Sequence, residues 1–180
     1  MNSKSSSALL LELFNVGVSN VQPRNILSNF LRVSENNIVV EDQDDREIYD
    51  SFEKIFLVCI GKASIDMGLT AVSILKDFKN KISESVVVVN EENFREIPGF
   101  RCFKSGHPIP NKNGLLAAKF IEKKLEKIKE NDLVLLFLSG GGSAMLPYPD
   151  GNIKLEEKIK INQLLLNSGA NIKEINSVRK

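Results

Sequence analysis

The sequence predicts a three-layer α/β/α domain built on a mostly parallel sheet. Two observations carry that expectation. Short, wholly apolar runs recur at residues 55–60, 86–89 and 133–138, the pattern of strands buried on both faces. Between them lie segments whose apolar residues return every three or four positions, the period of an amphipathic helix. Alternating strands and helices make βαβ units, which assemble into a parallel sheet covered by helices.

Each element follows from its own residues. Leu9, Leu10, Leu13 and Phe14 share one helical face, and Pro23 can open a second helix through Ile26, Leu27, Phe30 and Leu31. The first third of the chain therefore reads as helical. Residues 41–50 hold six acids against one arginine and read as a solvated loop or a helix start. The strand at 55–60 ends at Gly61, and Met67, Ala71, Ile74, Leu75 and Phe78 carry a helix towards the four valines at 86–89. A weaker strand at 100–103 enters the turn-rich Gly106-His107-Pro108-Ile109-Pro110-Asn111. Ala118, Ile121, Leu125 and Ile128 then mark a surface helix with lysines on its outer face. The apolar run 133–138 and the loop Ser139-Gly140-Gly141-Gly142-Ser143 come next. Residues 153–166 are helical again, and 172–180 begin an amphipathic turn that stops in mid-pattern, as expected of part of a longer protein.

Composition narrows the function classes. The chain has 180 residues, 42% hydrophobic and 26% charged, which suits a globular protein. A net charge of +1 gives no electrostatic case for nucleic acid or membrane partners. Cys59 and Cys102 lie far apart without metal-ligand spacing, and His107 is the single histidine, so neither a disulfide framework nor a histidine-rich metal centre is expected. Reduced thiols fit a cytoplasmic protein. The polar N-terminus lacks a signal-type apolar core, and no run approaches the roughly 18 apolar residues of a membrane span.

Three polar loops follow strands and should emerge from one sheet edge. In Gly61-Lys62-Ala63-Ser64 a lysine opens a helix, against the partial positive charge of a helix N-terminus, which suggests a nearby anion. In the second loop two prolines stiffen the turn that presents His107. In the third, Gly140, Gly141 and Gly142 leave backbone N–H groups unshielded, a cradle for phosphate or carboxylate oxygens. Two familiar phosphate motifs are absent. A P-loop would need glycine and Ser/Thr where Phe56 and Ala63 stand, and a dinucleotide fingerprint would need glycine at Met145.

At these residues the chain resembles the class II glycerate 2-kinases, the group carrying a MOFRL domain at the C-terminus. The matching stretches are Gly61-Lys62-Ala63-Ser64 with Met67, the Ser105–Asn111 loop with Gly114, and Leu138–Ala144. A fourth combines Leu165-Leu166, Ser168-Gly169-Ala170, Ile172, Glu174, Asn176 and Val178-Arg179-Lys180. The resemblance runs from about Leu10 to the end of the chain. It implies that residues 1–180 form the N-terminal Rossmann-like domain of an enzyme whose C-terminal domain is absent here. It also implies ATP- and Mg²⁺-dependent phosphorylation of the 2-hydroxyl of D-glycerate. Lys62 matches the catalytic lysine. Gly61, Ser139, Gly140, Gly141, Gly142, Ser143, His107, Asn176 and Arg179 are candidate nucleotide- or substrate-binding residues. The family pattern often has aspartate where this chain has Asn111. Two other readings remain: a module that binds a phosphorylated or carboxylated metabolite without chemistry, and an interaction fragment that covers exposed apolar surface by forming a homodimer.

Overall fold

The computed structural model describes residues 5–179, the last of them by its backbone alone. Two helices, α1 (Ser6–Asn20) and α2 (Pro23–Phe30), lead into strands β1 (Leu31–Ser34), β2 (Asn37–Glu41) and β3 (Arg46–Tyr49). These pair antiparallel as a three-stranded sheet. The expectation of a helical first third is therefore corrected beyond Phe30. Residues 41–50 are neither loop alone nor helix start but the end of β2, a tight turn and β3. In that turn the Asp42 N–H donates to the Asp45 carbonyl at 2.9 Å, and the Asp44 N–H donates to Oδ1 of Asp42 at 2.9 Å. The acids close a hairpin by the local side-chain bonds that short polar residues favour.

A second, four-stranded sheet forms the centre: β4 (Ile55–Ile60), β5 (Ser85–Asn90), β6 (Phe100–Ser105) and β7 (Leu133–Leu138), ordered β6-β5-β4-β7 and parallel throughout. Every residue of β4 and β5 is buried. On one face Leu57, Cys59, Val87 and Val89 pack against Ile65, Ala71 and Leu75 of α3 (Ser64–Ile74) and its C-cap, and against Leu31 and Ile38 of the antiparallel sheet. On the other, Phe56, Val58, Ile60, Val86 and Val88 pack against Ala117 and Ile121 of α4 (Lys112–Leu125) and Met145 of the short α5 (Gly142–Met145). The parallel sheet thus lies in the middle of three layers, as the apolar runs predict.

β7 departs from expectation. It pairs only with β4, and Leu136 and Leu138 are 56% and 60% exposed. The wholly apolar run is a sheet edge with one bare face rather than a strand buried on both sides. Helices α6 (Leu155–Asn167) and α7 (Ile172–Arg179) complete the described chain.

The strand order fixes where loops diverge. From β4 the chain runs outward through β5 to β6, then returns to the opposite edge at β7. The sheet therefore has its topological switch between β4 and β7, where open α/β sheets bind ligands at the strands' carboxyl ends.

Candidate active site

Two of the three loops singled out in the sequence flank this switch, and the third folds against them. Gly61 closes β4 at φ 117°, a conformation that penalises any Cβ. A Cβ there would also stand 2.3 Å from Ser139 Oγ. Glycine is therefore what lets the β4 and β7 loops touch. Three hydrogen bonds stitch them: Ser139 N–H to the Ile60 carbonyl at 2.9 Å, Lys62 N–H to the Gly140 carbonyl at 3.0 Å, and Ala63 N–H to Ser139 Oγ at 3.0 Å. Ala63 is the N-cap of α3, so Lys62 lies just ahead of the helix rather than within its first turn.

The glycine loop then turns at Gly141, in the left-handed region at φ 97°. A Cβ on Gly141 would meet the His107 ring at 2.8 Å and the Met145 methyl at 2.6 Å. The backbone and the imidazole are packed face to face at that point. Among the described residues the N–H groups of Gly140, Gly141, Gly142 and Ser143 find no acceptor; the loop's own carbonyls instead take the amides of Ala144, Met145 and Leu146. Four successive free donors at a strand end are an anion cradle.

Lys62 supplies the charge. It is exposed and forms no ion pair among the described residues. Its ammonium is nevertheless close enough to act on its neighbours. Burial first, and then the Lys62 charge, hold the His107 imidazole below its ordinary value of 6.5, with Glu92 pulling the other way. The Glu92 carboxyl is itself held low by its own backbone amide and by the Asn90 side chain, with smaller help from His107 and Lys62. Asn93 Nδ2 bonds the Lys62 carbonyl at 3.2 Å and Asn90 Oδ1 at 3.0 Å. The loop after β5 is thus part of the site. Sequence reasoning missed Glu92, Asn90 and Asn93, although the valine strand ends at the same sheet edge as its neighbours.

The remaining candidates separate into two groups. Asn176 and Ser143 line one cavity of about 400 Å³ beside the glycine loop, together with Lys158, Asn162 and Tyr148. The cavity is tied to the histidine loop, because Asn162 Nδ2 donates to the Pro108 carbonyl at 3.2 Å. Arg179 ends α7, but its side chain lies outside the described residues, as does Lys180. Asn111 is a structural residue: its Oδ1 accepts the Gly114 N–H at 3.0 Å and caps α4.

Among the described residues no group of three or more His, Cys, Asp or Glu could hold a metal. Mg²⁺ in phosphoryl-transfer sites needs only one or two carboxylates beside the substrate phosphates. Glu92 is a carboxylate close enough for the charges of Lys62 and His107 to act on it, the kind of group such a metal would use.

Residues 9–180 match the family described as a domain of unknown function, DUF4147. The chain belongs to the DUF4147 family. A glycerate 2-kinase of Pyrococcus horikoshii is 32% identical over 170 residues, covering 94% of this chain and 37% of the relative. A D-glycerate 2-kinase of Thermotoga maritima is 37% identical over 131 residues, 72% of this chain and 31% of the relative. Two crystal structures share the fold. One, a P. horikoshii protein, superposes with a TM-score of 0.80 at 31% identity, covering all of this chain and 39% of its own. The other, glycerate kinase of T. maritima, gives 0.73 at 29% identity, covering 96% of this chain and 37% of its own. The chain spans less than two fifths of the length of these relatives.

Proposed function

We propose that the whole protein is an ATP-dependent kinase that phosphorylates the 2-hydroxyl of D-glycerate to 2-phosphoglycerate. In this reading residues 1–180 are its N-terminal domain, and a C-terminal domain closes the cleft. The observation that carries it is Lys62, without an ion pair among the described residues, on the loop whose backbone bonds Gly140 at the head of four amides that find no acceptor there. Phosphoryl transfer asks little covalent chemistry of the protein; it requires positioning and charge stabilisation. The donors of Gly140–Ser143 hold phosphate or carboxylate oxygens, and Lys62 stabilises charge that builds on the transferred group. His107, kept neutral, can accept or donate a hydrogen bond there without adding a second fixed charge. Mg²⁺, when bound with ATP, neutralises phosphate charge, with Glu92 the residue of this chain suited to support it.

Leu136 and Leu138 on the bare face of β7 support the presence of further polypeptide over that edge, and without it the isolated chain turns nothing over. The two unpaired cysteines, Cys59 and Cys102, fit a reducing cytoplasm.

The test is to incubate the purified whole protein with ATP, Mg²⁺ and D-glycerate and to identify products by ³¹P NMR. The expected product is 2-phosphoglycerate. Lys62→Ala should lower kcat by roughly 10²–10³, the loss seen when a preorganised transition-state stabiliser is removed, while circular dichroism stays unchanged. A folded protein that makes no phosphoglycerate would leave the metabolite-binding module as the better reading.

A further inference from the structure

The 400 Å³ cavity beside the glycine loop has a chemistry that the hydroxy acid does not use. Its volume falls within the roughly 300–1,000 Å³ of sites for drug-sized ligands. Much of its wall is apolar: Pro110, Tyr148, Pro149, Ile153, Ile161 and Val178. A three-carbon hydroxy acid, polar on every side, would leave that surface against water. The rest of the lining offers the Asn176 carboxamide, the Ser143 hydroxyl, the Asp150 carboxylate and the Lys158 ammonium, while the buried Asn162 already donates to the Pro108 carbonyl. The Asn176 carboxamide can both donate and accept, as the edge of a nucleobase demands, and an acid beside the pocket suits ribose hydroxyls. Lys158 is half-buried and has no acid within salt-bridge distance among the described residues.

The glycine loop gives this cavity a direction. Its Ser143 end lines the cavity, and its Gly140 end receives the Lys62 N–H. Four residues span roughly 10 Å or less, a reach that a chain of phosphates can cover.

Resting on the kinase reading, we propose that this cavity takes the nucleoside of the phosphoryl donor. The phosphates then run along the free amides of Gly140–Ser143 to Lys62, and the hydroxy acid lies on the Lys62–His107 side. Nucleoside, phosphates and acceptor are thus arranged in chain order along one loop.

Ile161→Trp tests this in the whole protein, because Ile161 is 45% exposed on α6 and a larger ring fills the cavity without entering the core. The expected result is a KM for ATP raised at least tenfold with the KM for D-glycerate unchanged, and a Kd for ADP by calorimetry raised in parallel. Lys158→Ala should weaken ADP in the same sense and stands in if the tryptophan variant misfolds. A raised KM for D-glycerate with ADP binding intact would overturn the proposal by giving the cavity to the acid; so would variants that move neither constant. Should the wild-type protein bind ADP but make no phosphoglycerate, the kinase reading fails alone. Loss of ADP in Ile161→Trp or Lys158→Ala would still support the cavity assignment. Absence of ADP binding by the wild-type protein would sink it.

Discussion

His107 shows how much of the site depends on where one side chain is held. Its ring is packed against Gly141 and faces the Lys62 ammonium on one side and Glu92 on another. Burial and Lys62 both disfavour the imidazolium, so the folded pKa lies below 6.5. The unfolded chain then binds more protons than the folded one as pH falls past 6.5, and the stability contributed by neutral His107 is present above that value and lost below it. Because His107 is the single histidine, its Hε1 resonance gives an unambiguous NMR titration. The midpoint should lie below 6.5 in the free protein and move up when inorganic phosphate binds, because an anion between Lys62 and the ring offsets the lysine's repulsion. A midpoint unmoved by phosphate that binds elsewhere on the protein would remove His107 from the anion site. The need for Gly141 beside this ring was legible only in part. Three glycines in sequence indicate an open backbone, but only the fold shows that a Cβ at the middle one would strike the imidazole.

At the scale of elements, the strands that bury both faces were the easiest to read. β4 is apolar throughout and β5 at its four central positions, and the buried polar residues at the ends of β5, Ser85 and Asn90, are both hydrogen-bonded. β7 has the same composition but a different environment, since composition records what a strand will accept and not what covers it. β1–β3 were missed because their burial is partial and their residues mixed: Arg46, Glu47 and Ile48 of β3 are exposed, and only Tyr49 is partly covered. A half-exposed strand beside a run of acids is hard to tell from a loop. Asn111 gives the opposite lesson. It stands where the family pattern often has aspartate, and the structure gives it the N-cap of α4. Asn111→Ala should therefore cost about 1 kcal/mol of stability, within the usual 0.5–2 range for a lost cap. Asn111→Asp should cost little, because aspartate caps equally well and its charge suits the helix N-terminus. Urea denaturation of both variants checks this. A large loss for aspartate would show that the position excludes negative charge, as a site facing phosphate would.

In the molecule as a whole, the site loops are only as firm as the sheet that ends in them, and Cys59 reports on that sheet. It sits in β4 between β5 and β7, fully buried, with α3 brought close at Gly68, where a Cβ would lie 3.4 Å from Cys59 Sγ. Burial pushes its thiol up to about 12, so almost none is thiolate at neutral pH, and the thiolate is the reactive form. Cys102, on the outer strand β6, is raised as well, again chiefly by burial, but is only partly covered. An aromatic disulfide reagent should therefore label Cys102 in the native protein and reach Cys59 only when the sheet opens. As denaturant is added, the Cys59 rate should rise in step with loss of the far-ultraviolet circular dichroism signal, because the central strand belongs to the last unit to unfold. Should phosphate or ADP bind at the β4–β7 switch, it will slow Cys59 labelling by mass action on the folded state and leave local labelling of Cys102 unchanged. Cys59 reacting as fast as Cys102 in native buffer would mean that β4 opens locally. The loops at its end could not then hold four amides and a lysine in fixed register for phosphoryl transfer.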